Sequence, residues 1–263
     1  MEIIRLCVSE EKILKVFDKM SMDILGYLNS MESNEKGILL KKENFFVRDI
    51  FFDKESDEEK DYLISRESKE IFEKNDKSLF IGDNHKITYS IAKAFLKNEK
   101  NPLLIIFDAH LDSLSIDKGF ISERNWLKKL VESGFPSDKI LFISARNLYE
   151  EELNFLKKNK LAVIKMDVLD EDKEGVCDLV MERARNASGF YISIDMDSID
   201  PAFAPGVYTP EPGGLSSRDI IYFIKRLILL KNFKAADIVN IDINKDINDN
   251  TLKLAAKIFS EMI

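Results

Sequence analysis

The sequence predicts an α/β fold in which a buried parallel sheet is covered by helices. Short runs that are apolar on both faces recur along the chain, and each is followed by a stretch with helical periodicity. This alternation is typical of parallel strands buried between helices. The chain has 263 residues, of which 45% are hydrophobic, and a formal charge of −8. That composition excludes disorder, and because no Pro-, Gly- or Ser-rich linker interrupts it we expect one domain over residues 1–263.

Six apolar runs are the predicted strands of this sheet. They are Ser78–Ile81, Leu103–Phe107, Ile140–Ile143, Leu161–Met166, Phe190–Ile194 and Ala235–Ile241. The periodicity is weaker in the first 75 or so residues. There, Ile3–Cys7 and Asp23–Leu28 are interpreted as strands and Arg66–Lys74 as a charged helix.

Helices are predicted between the strands from apolar spacing and from end signals. Apolar residues return at helical spacing over Ile87–Phe95, while lysines occupy the other face. Ser216 and Asp219 form a capping box, which predicts a helix that begins there and continues to about Leu230. Trp126 is expected to anchor a further helix on the sheet.

Charge and composition exclude several classes of partner. An acidic chain with a pI of about 5.1 lacks the basic surface that nucleic acids require. No window approaches the roughly 20 apolar residues of a membrane span, and the start of the chain does not resemble a secretory signal. Cys7 and Cys177 are isolated, which fits a reducing compartment. We therefore expect a cytoplasmic protein with neither nucleic-acid nor membrane partners.

Three polar clusters directly follow three of the predicted strands. They are Gly82–His85, Asp108–Asp112 and Asp195–Asp197. Because ligands bind at the carboxyl ends of the strands in open α/β sheets, these clusters are expected to converge. In an extended chain, residues two apart project from the same side, so Asp108, His110 and Asp112 face one way. Asp195 and Asp197 repeat this arrangement.

The converging side chains predict a binuclear metal site. Carboxylates and imidazoles gathered in a half-buried cleft repel one another or stay unpaired unless cations neutralise them. A carboxylate-rich set without thiolates favours hard or borderline ions such as Mn²⁺ over structural zinc. Six candidate ligands exceed what one four-coordinate ion needs, so two ions are expected. His85 and His110, the two histidines of the chain, both lie in the clusters.

Each candidate ligand also has a simpler structural interpretation. A lone histidine beside a strand end is often a hydrogen-bonded core or surface residue. Asp108 and Asp112 can cap a helix or a turn, and Asp195 and Asp197 can lie in a solvated loop. These interpretations must also explain why neither histidine lies elsewhere, whereas a metal site accounts for all of the residues together.

The chain resembles the ureohydrolase family, which includes arginase and agmatinase. The matching segments are the Asp-Ala-His-x-Asp motif at Asp108–Asp112, the second family signature at Ser193–Gly206, the agmatinase-type continuation Thr209–Leu215, and Ile143–Arg146, Asp237–Val239 and Leu254–Lys257. The resemblance covers about residues 79–263, with residues 1–78 as a divergent N-terminal part of the same domain. It implies a three-layer α/β/α sandwich with a mostly parallel sheet, the arginase-like fold.

The resemblance also implies a metal site and a reaction. The implied ligands of two Mn²⁺ ions per subunit are His85, Asp108, His110, Asp112, Asp195 and Asp197. Asp108 and Asp195 would bridge the ions, and a bridging hydroxide would attack the substrate. Asp112 would carry a proton to the leaving amine. The implied substrate is a small cationic guanidino compound, first of all agmatine, hydrolysed to putrescine and urea, and the implied assembly is a trimer or hexamer.

The sequence departs from the family pattern around the substrate. Gly82–His85 replaces Gly-Gly-Asp-His, and Glu123 falls where the family has a proton-shuttling histidine, although a surface helix position also explains this glutamate. Asn240 stands in place of the acid that binds the guanidinium. Asp242, two residues on, is expected to compensate from the same side of an extended chain. A Gly-x-Arg-x-Gly-Pro segment is missing from the N-terminal region, and Val207–Tyr208 replaces a small pair, so the pocket mouth differs too.

Two other functions remain open from the sequence. One is a protein with this fold that keeps its metal for stability and acts as an oligomeric binding or scaffold protein, because the shuttle histidine and the guanidinium-binding acid are both replaced. The other is a metallophosphoesterase, whose ligand motifs superficially resemble Gly82–His85 and Asp108–His110. That family places its motifs in the opposite order and uses more histidines than this chain contains.

Overall fold

A computed structural model describes the chain except for residues 42, 44, 53 and 116–119 and the side chain of Glu11. Within the described residues, eight strands form one sheet in the order β2-β1-β3-β8-β7-β4-β5-β6. All neighbouring pairs are parallel. The strands are β1 (Glu2–Cys7), β2 (Phe46–Phe51), β3 (Ser78–Gly82), β4 (Pro102–Phe107), β5 (Ile140–Ala145), β6 (Ala162–Lys165), β7 (Gly189–Asp195) and β8 (Phe233–Val239).

Helices cover both faces of the sheet. They are α1 (Glu11–Ser30), α2 (Asp57–Lys74), α3 (Lys86–Asn98), α4 (Trp126–Glu132), α5 (Glu150–Asn159), α6 (Met166–Glu171), α7 (Lys173–Arg185), α8 (Ser217–Leu227) and α9 (Asn250–Met262). One buried apolar cluster joins the sheet to α1, α7, α8 and α9, and a second joins its other face to α2, α3 and α4. The predicted three-layer sandwich is confirmed.

The strand predictions are correct wherever a strand is buried on both faces. All six apolar runs are strands, with ends shifted by one or two residues, and Ile3–Cys7 lies in β1. Asp23–Leu28 is not a strand, because it forms part of α1. Its apolar residues Ile24, Leu25 and Leu28 return at helical spacing and pack into the core beneath the sheet. Strand β2 was not predicted from the sequence.

The predicted helices are present. Ile87–Phe95 lies in α3, and Arg66–Lys74 is the second half of α2. The Asp219 amide donates to Ser216 Oγ at 3.2 Å, which confirms the capping box at the start of α8. This helix ends at Leu227, earlier than predicted. In the part of the chain that the structure describes, none of the helices combines the length and the apolar character of a membrane span.

The strand order determines where the candidate site lies. The four central strands are β3, β8, β7 and β4, which come from distant parts of the chain but lie side by side. All four are parallel, so the loops that follow them leave the same edge of the sheet. Each of the three polar clusters follows one of these strands.

Candidate metal centre

The candidate ligands lie at the carboxyl ends of adjacent central strands. His85 follows β3 after a short turn, and Asp108 directly follows β4. Asp195 is the last residue of β7, and Asn240 directly follows β8. The parallel sheet therefore brings together residues that are more than 150 positions apart in the sequence, as between His85 and Asn240.

The first group of candidate ligands surrounds the Nδ1 atom of His85. This nitrogen lies 3.1 Å from Oδ2 of Asp108, 3.2 Å from Oδ2 of Asp195 and 3.3 Å from Oδ2 of Asp112. Ligand atoms of His85, Asp108 and Asp195 all lie within 4.8 Å of one another. A single ion could contact all three.

The second group shares Asp108 with the first. The Nδ1 atom of His110 lies 3.0 Å from Oδ2 of Asp197 and 3.9 Å from Oδ1 of Asp108. The ligand atoms of these three residues again lie within 4.8 Å of one another. Because Asp108 faces His85 with Oδ2 and His110 with Oδ1, its carboxylate has the arrangement of a bridge between two ions.

Two unpartnered atoms show that these residues fit metal ions. His85 Nδ1 and Asp108 Oδ2 are buried and have no hydrogen-bond partner, although they face each other at 3.1 Å. A buried polar atom without a partner costs about 1–3 kcal/mol. A divalent cation between the groups would satisfy both atoms, and carboxylate oxygens with imidazole nitrogens suit Mn²⁺ and similar ions.

Burial and mutual repulsion shift the pKa values of the cluster. Burial, reinforced by the negative charge of Asp197, raises the pKa of Asp108 well above its ordinary value and that of Asp195 to about 7. Burial lowers the pKa values of the histidines, but the facing carboxylates outweigh it. The pKa of His85 is therefore well above its usual value, and that of His110 is about 9.

The loops that carry the ligands are not extended, which corrects the sequence analysis. Asp112 has a φ of 53°, in the left-handed region, and the segment Met196–Ser198 forms a 3₁₀ turn. The Asp195 carboxylate accepts a bond from the amide of Asp197 at 2.8 Å. Side chains two positions apart therefore lie close together because the backbone forms turns there. The position of Asp112 is further fixed by Trp126, whose Nε1 donates to Asp112 Oδ2 at 2.9 Å.

A buried hydrogen-bond network supports His85 from below. The Nε2 atom of His85 lies 3.1 Å from Ser193 Oγ, and Ser193 donates to Asp237 Oδ1 at 2.8 Å. Thr88 Oγ1 donates to Asp237 Oδ2 at 2.9 Å, and the hydroxyl of Tyr191 donates to the same oxygen. This network was not predicted from the sequence. Its signal was the presence of Ser193 and Asp237 inside otherwise apolar strands.

Arg146 holds the loops around the site. Its guanidinium donates to five backbone carbonyls, those of Ser144, Asp197, Ser198, Glu211 and Pro212. Asp200 reinforces this contact, because its carboxylate accepts bonds from the amides of Gly213 and Gly214. The segment before α8 is therefore fastened to the turn that carries Asp197.

A cavity of about 390 Å³ opens above the candidate metal ligands. Residues that are not candidate ligands also line it, among them Glu123, Arg124, Tyr149, Glu152, Tyr208 and Asn240. Both carboxylate oxygens of Glu152 accept backbone amide bonds, from Ser113 at 3.1 Å and Tyr149 at 3.1 Å. The volume matches a small organic substrate.

The substrate-binding candidates differ in where they lie. Glu123 lines the cavity and accepts a bond from Asn84 Nδ2 at 2.8 Å. The side-chain nitrogen Nδ2 of Asn240 donates to both carboxylate oxygens of Asp195 at 2.9 Å. Asp242 is not part of the lining, and its Oδ1 accepts bonds from the backbone amide and the side chain of Asn244. The backbone at Asn240 has a φ of 69°, so the rule for extended chains that placed Asp242 beside Asn240 does not apply.

The fold and the site define an α/β protein with a candidate binuclear centre at the carboxyl edge of a parallel sheet. The chain belongs to the Arginase family, whose model matches residues 29–263. The match begins well before residue 79, where the visible motifs begin.

The relatives include both arginases and agmatinases. The mitochondrial arginase 1 of rice (Oryza sativa) is 30% identical over 204 residues, which are 76% of this chain and 58% of that protein. The agmatinase of Bacillus subtilis is 29% identical over 195 residues, covering 73% of this chain and 65% of the relative. The chain thus matches less than two thirds of the length of these relatives.

Solved structures share the fold over nearly the whole chain. The agmatine ureohydrolase of Thermoplasma volcanium has a TM-score of 0.81 at 26% identity and covers 99% of this chain and 88% of its own. The formimidoylglutamase of Bacillus subtilis has a TM-score of 0.87 at 20% identity, with coverages of 99% and 84%. The second likeness concerns the fold alone.

Proposed function

We propose that the protein is a binuclear manganese-dependent hydrolase of guanidino or amidino compounds, with agmatine as the first substrate to test. The observation that carries this proposal is the pair of overlapping ligand groups that share Asp108, with unpartnered buried atoms facing each other. Membership of the Arginase family supports it and removes the metallophosphoesterase alternative.

The proposed ligands divide between two ions. His85, Asp108, Asp112 and Asp195 would hold one, and Asp108, His110, Asp195 and Asp197 the other. When bound, two divalent ions lower the pKa of water and so supply a nucleophile near neutral pH. A guanidinium is a poor electrophile, so a reaction with ordinary water would be very slow.

The residues of the chain handle the protons and the orientation of the substrate. Asp112 accepts a proton at its carboxylate and delivers it to the departing amine, and the bond from Trp126 Nε1 fixes its position. Glu123 exchanges protons between the cavity and solvent. Asn240 donates to Asp195 and Asp197 through its nitrogen, so its carbonyl oxygen remains to accept a bond from a substrate N–H.

A urea-release assay with metal-loaded protein tests the proposal. We expect urea from agmatine or another guanidino compound after loading with Mn²⁺, and loss of urea in Asp108→Asn because that variant removes the shared ligand. Asp138→Asn, which changes an exposed side chain on a distant turn, is the matched control. Absence of amine release across a panel of guanidino and amidino compounds with both ions bound would contradict the proposal.

A metal-binding scaffold is the second candidate function. Asn240 favours it, because a neutral amide lies beside the centre where the family has an acid. A scaffold predicts tight metal binding and a raised melting temperature without turnover, even in Asn240→Glu. Urea release by the wild type rules it out.

The domain organisation, localisation and oligomeric state of the protein also follow from the sequence as proposals. We propose that residues 1–263 fold as one domain and that the protein is cytoplasmic and assembles as a homo-oligomer, a trimer or hexamer. One sheet contains strands from both the N-terminal part and the rest of the chain, which supports the single domain. Light scattering on the purified protein tests the assembly.

A further inference from the structure

The cavity above the candidate metal ligands contains a cation that forms no ion pair with an acidic group among the described residues. Arg124 is exposed and lines the cavity, and it makes no ion pair with any residue that the structure describes. By contrast, Arg146, the other arginine near the centre, is committed to five carbonyls of the surrounding loops. Among the described residues that line the cavity, Arg124 is therefore a cation that is available to a ligand.

Tyr149 contacts Arg124 but accepts only one of its N–H donors. The guanidinium carbon lies 5.8 Å from the centre of the Tyr149 ring, and one nitrogen donates to the Tyr149 hydroxyl at 3.4 Å. A guanidinium carries five N–H donors in a planar fork that matches a carboxylate. The other N–H donors of Arg124 have no hydrogen-bond partner among the described residues. The aromatic ring, which also lines the cavity, limits where the fork can lie.

The acidic residues of the lining that are not candidate ligands accept hydrogen bonds from neutral amides. Both oxygens of Glu152 accept backbone amide bonds, and Glu123 accepts a bond from Asn84. The proposed metal ligands contribute four carboxylates, whose charge two divalent ions balance. At the inner end Asn240 adds a neutral amide and no further acid.

We propose that Arg124 is a specificity-determining residue that binds a carboxylate at the far end of the substrate. The inference rests on the proposed function and narrows its substrate class. The preferred substrate is an ω-guanidino or ω-amidino acid, whose amidine carbon lies at the metal centre and whose carboxylate pairs with Arg124. A dicationic compound such as agmatine places an ammonium group against the same guanidinium and is a poorer substrate.

Three compounds that share the guanidino end and differ in the charge at the other end measure the effect of that charge on hydrolysis. They are 4-guanidinobutanoate with a carboxylate tail, agmatine with an ammonium tail and butylguanidine with an uncharged tail. We expect kcat/KM for 4-guanidinobutanoate to exceed that for butylguanidine about fivefold, the effect of one exposed charge-assisted contact. We expect agmatine to fall below butylguanidine.

Variants assign the preference to Arg124. In Arg124→Gln the ratio of kcat/KM between the carboxylate and uncharged tails should fall to about one, and Arg124→Lys should retain part of it because a lysine keeps the charge without the fork. Arg185→Gln is the matched control. Arg185 is exposed and ends α7, just before β7 begins at the opposite edge of the sheet, so this variant should keep the full ratio.

The outcomes separate the inference from the proposed function. If butylguanidine or agmatine is hydrolysed as well as 4-guanidinobutanoate, or if Arg124→Gln keeps the wild-type ratio, the role of Arg124 is wrong and the hydrolase proposal stands. If none of the three compounds is hydrolysed, the hydrolase proposal fails for this class. Calorimetric binding of 4-guanidinobutanoate and butylguanidine to the manganese-loaded wild type and Arg124→Gln then decides the role of Arg124 alone. Equal affinities would overturn it.

Discussion

The Nε2 atom of His85 lies 3.1 Å from the hydroxyl oxygen of Ser193, and this contact determines which nitrogen of the imidazole points at the carboxylates. The single hydroxyl hydrogen of Ser193 is donated to Asp237, so toward His85 the serine oxygen can act only as an acceptor. In the neutral ring the hydrogen therefore lies on Nε2. The lone pair of Nδ1 then points at Asp108 and Asp195, as a metal ligand requires.

Ser193→Ala should weaken metal binding without unfolding the protein. The variant removes the acceptor for the Nε2–H group, so the ring loses both its orientation and its preferred tautomer. Loss of such a supporting partner typically lowers metal affinity about 10–100-fold. Calorimetric titration of Mn²⁺ into the metal-free variant measures the change.

Ser260→Ala is the matched control for that experiment. Ser260 is equally buried but lies on α9 and donates to a backbone carbonyl of its own helix. Its Mn²⁺ affinity should equal that of the wild type. Equal affinities in all three proteins would show that Ser193 does not orient His85.

The convergence of the candidate ligands was predictable from the sequence because two local signals coincide there. Apolar runs reveal the buried strands, and polar residues placed directly after them reveal the carboxyl edge of the sheet. Ser193 and Asp237 are partners in the register of β7 and β8, and that pairing joins segments separated by more than 40 residues. No local pattern reports it, so the support beneath His85 needed the structure.

Weak local signals explain the two incorrect predictions in the N-terminal part, the missed strand β2 and the strand predicted at Asp23–Leu28. Strand β2 lies at the edge of the sheet, where Phe46 is 74% exposed, so it lacks the continuous burial that marks the central strands. The segment Asp23–Leu28 was misread because its short apolar stretch fits a strand as well as a helix. Only the longer spacing that begins at Phe17 shows the helix.

Asp237→Asn should destabilise the metal-free protein. The Asp237 carboxylate accepts bonds from the hydroxyls of Ser193, Thr88 and Tyr191 and is fully buried. An amide of the same shape turns an N–H group toward at least one of these hydroxyls, which leaves a buried donor without an acceptor. We expect the free energy of unfolding, measured in urea, to fall by about 2 kcal/mol. A change as small as that in the exposed control Asp138→Asn would contradict the role of the network.

Metal affinity should rise with pH between about 6 and 9. The pKa of Asp195 is raised to about 7 and that of His110 to about 9 in the metal-free protein. Below these values each group carries a proton that a metal ion must displace, so affinity should increase up to about tenfold per pH unit for each proton released. Titrations of Mn²⁺ at pH 6, 7 and 8, repeated in buffers with different ionisation enthalpies, measure both affinity and proton release. A constant affinity over this range would contradict the prediction.

The stability of the metal-free protein should decrease as pH rises, whereas the metal affinity increases. An acid whose pKa is raised in the folded state binds its proton more tightly there than in the unfolded chain. The contribution of Asp195 therefore favours folding at low pH and is lost as pH rises from the ordinary pKa of an aspartate, 3.8, to the raised pKa of about 7. The gain in melting temperature on adding Mn²⁺ should consequently be larger at pH 8 than at pH 6. An equal gain at both values would show that Asp195 does not titrate in this way.

Trp126→Phe should lower kcat more than it changes KM. Phenylalanine keeps the aromatic contact with His85, whose ring centre lies 4.5 Å from that of Trp126, but it cannot donate to Asp112 Oδ2. A carboxylate without this bond can rotate away from the leaving group, so proton delivery slows, and we expect kcat to fall by about 10–100-fold. Steady-state kinetics together with the metal content of the same samples provide the test. If kcat falls only in proportion to lost metal, Trp126 supports the metal site as a whole, and a positioning role toward Asp112 is excluded.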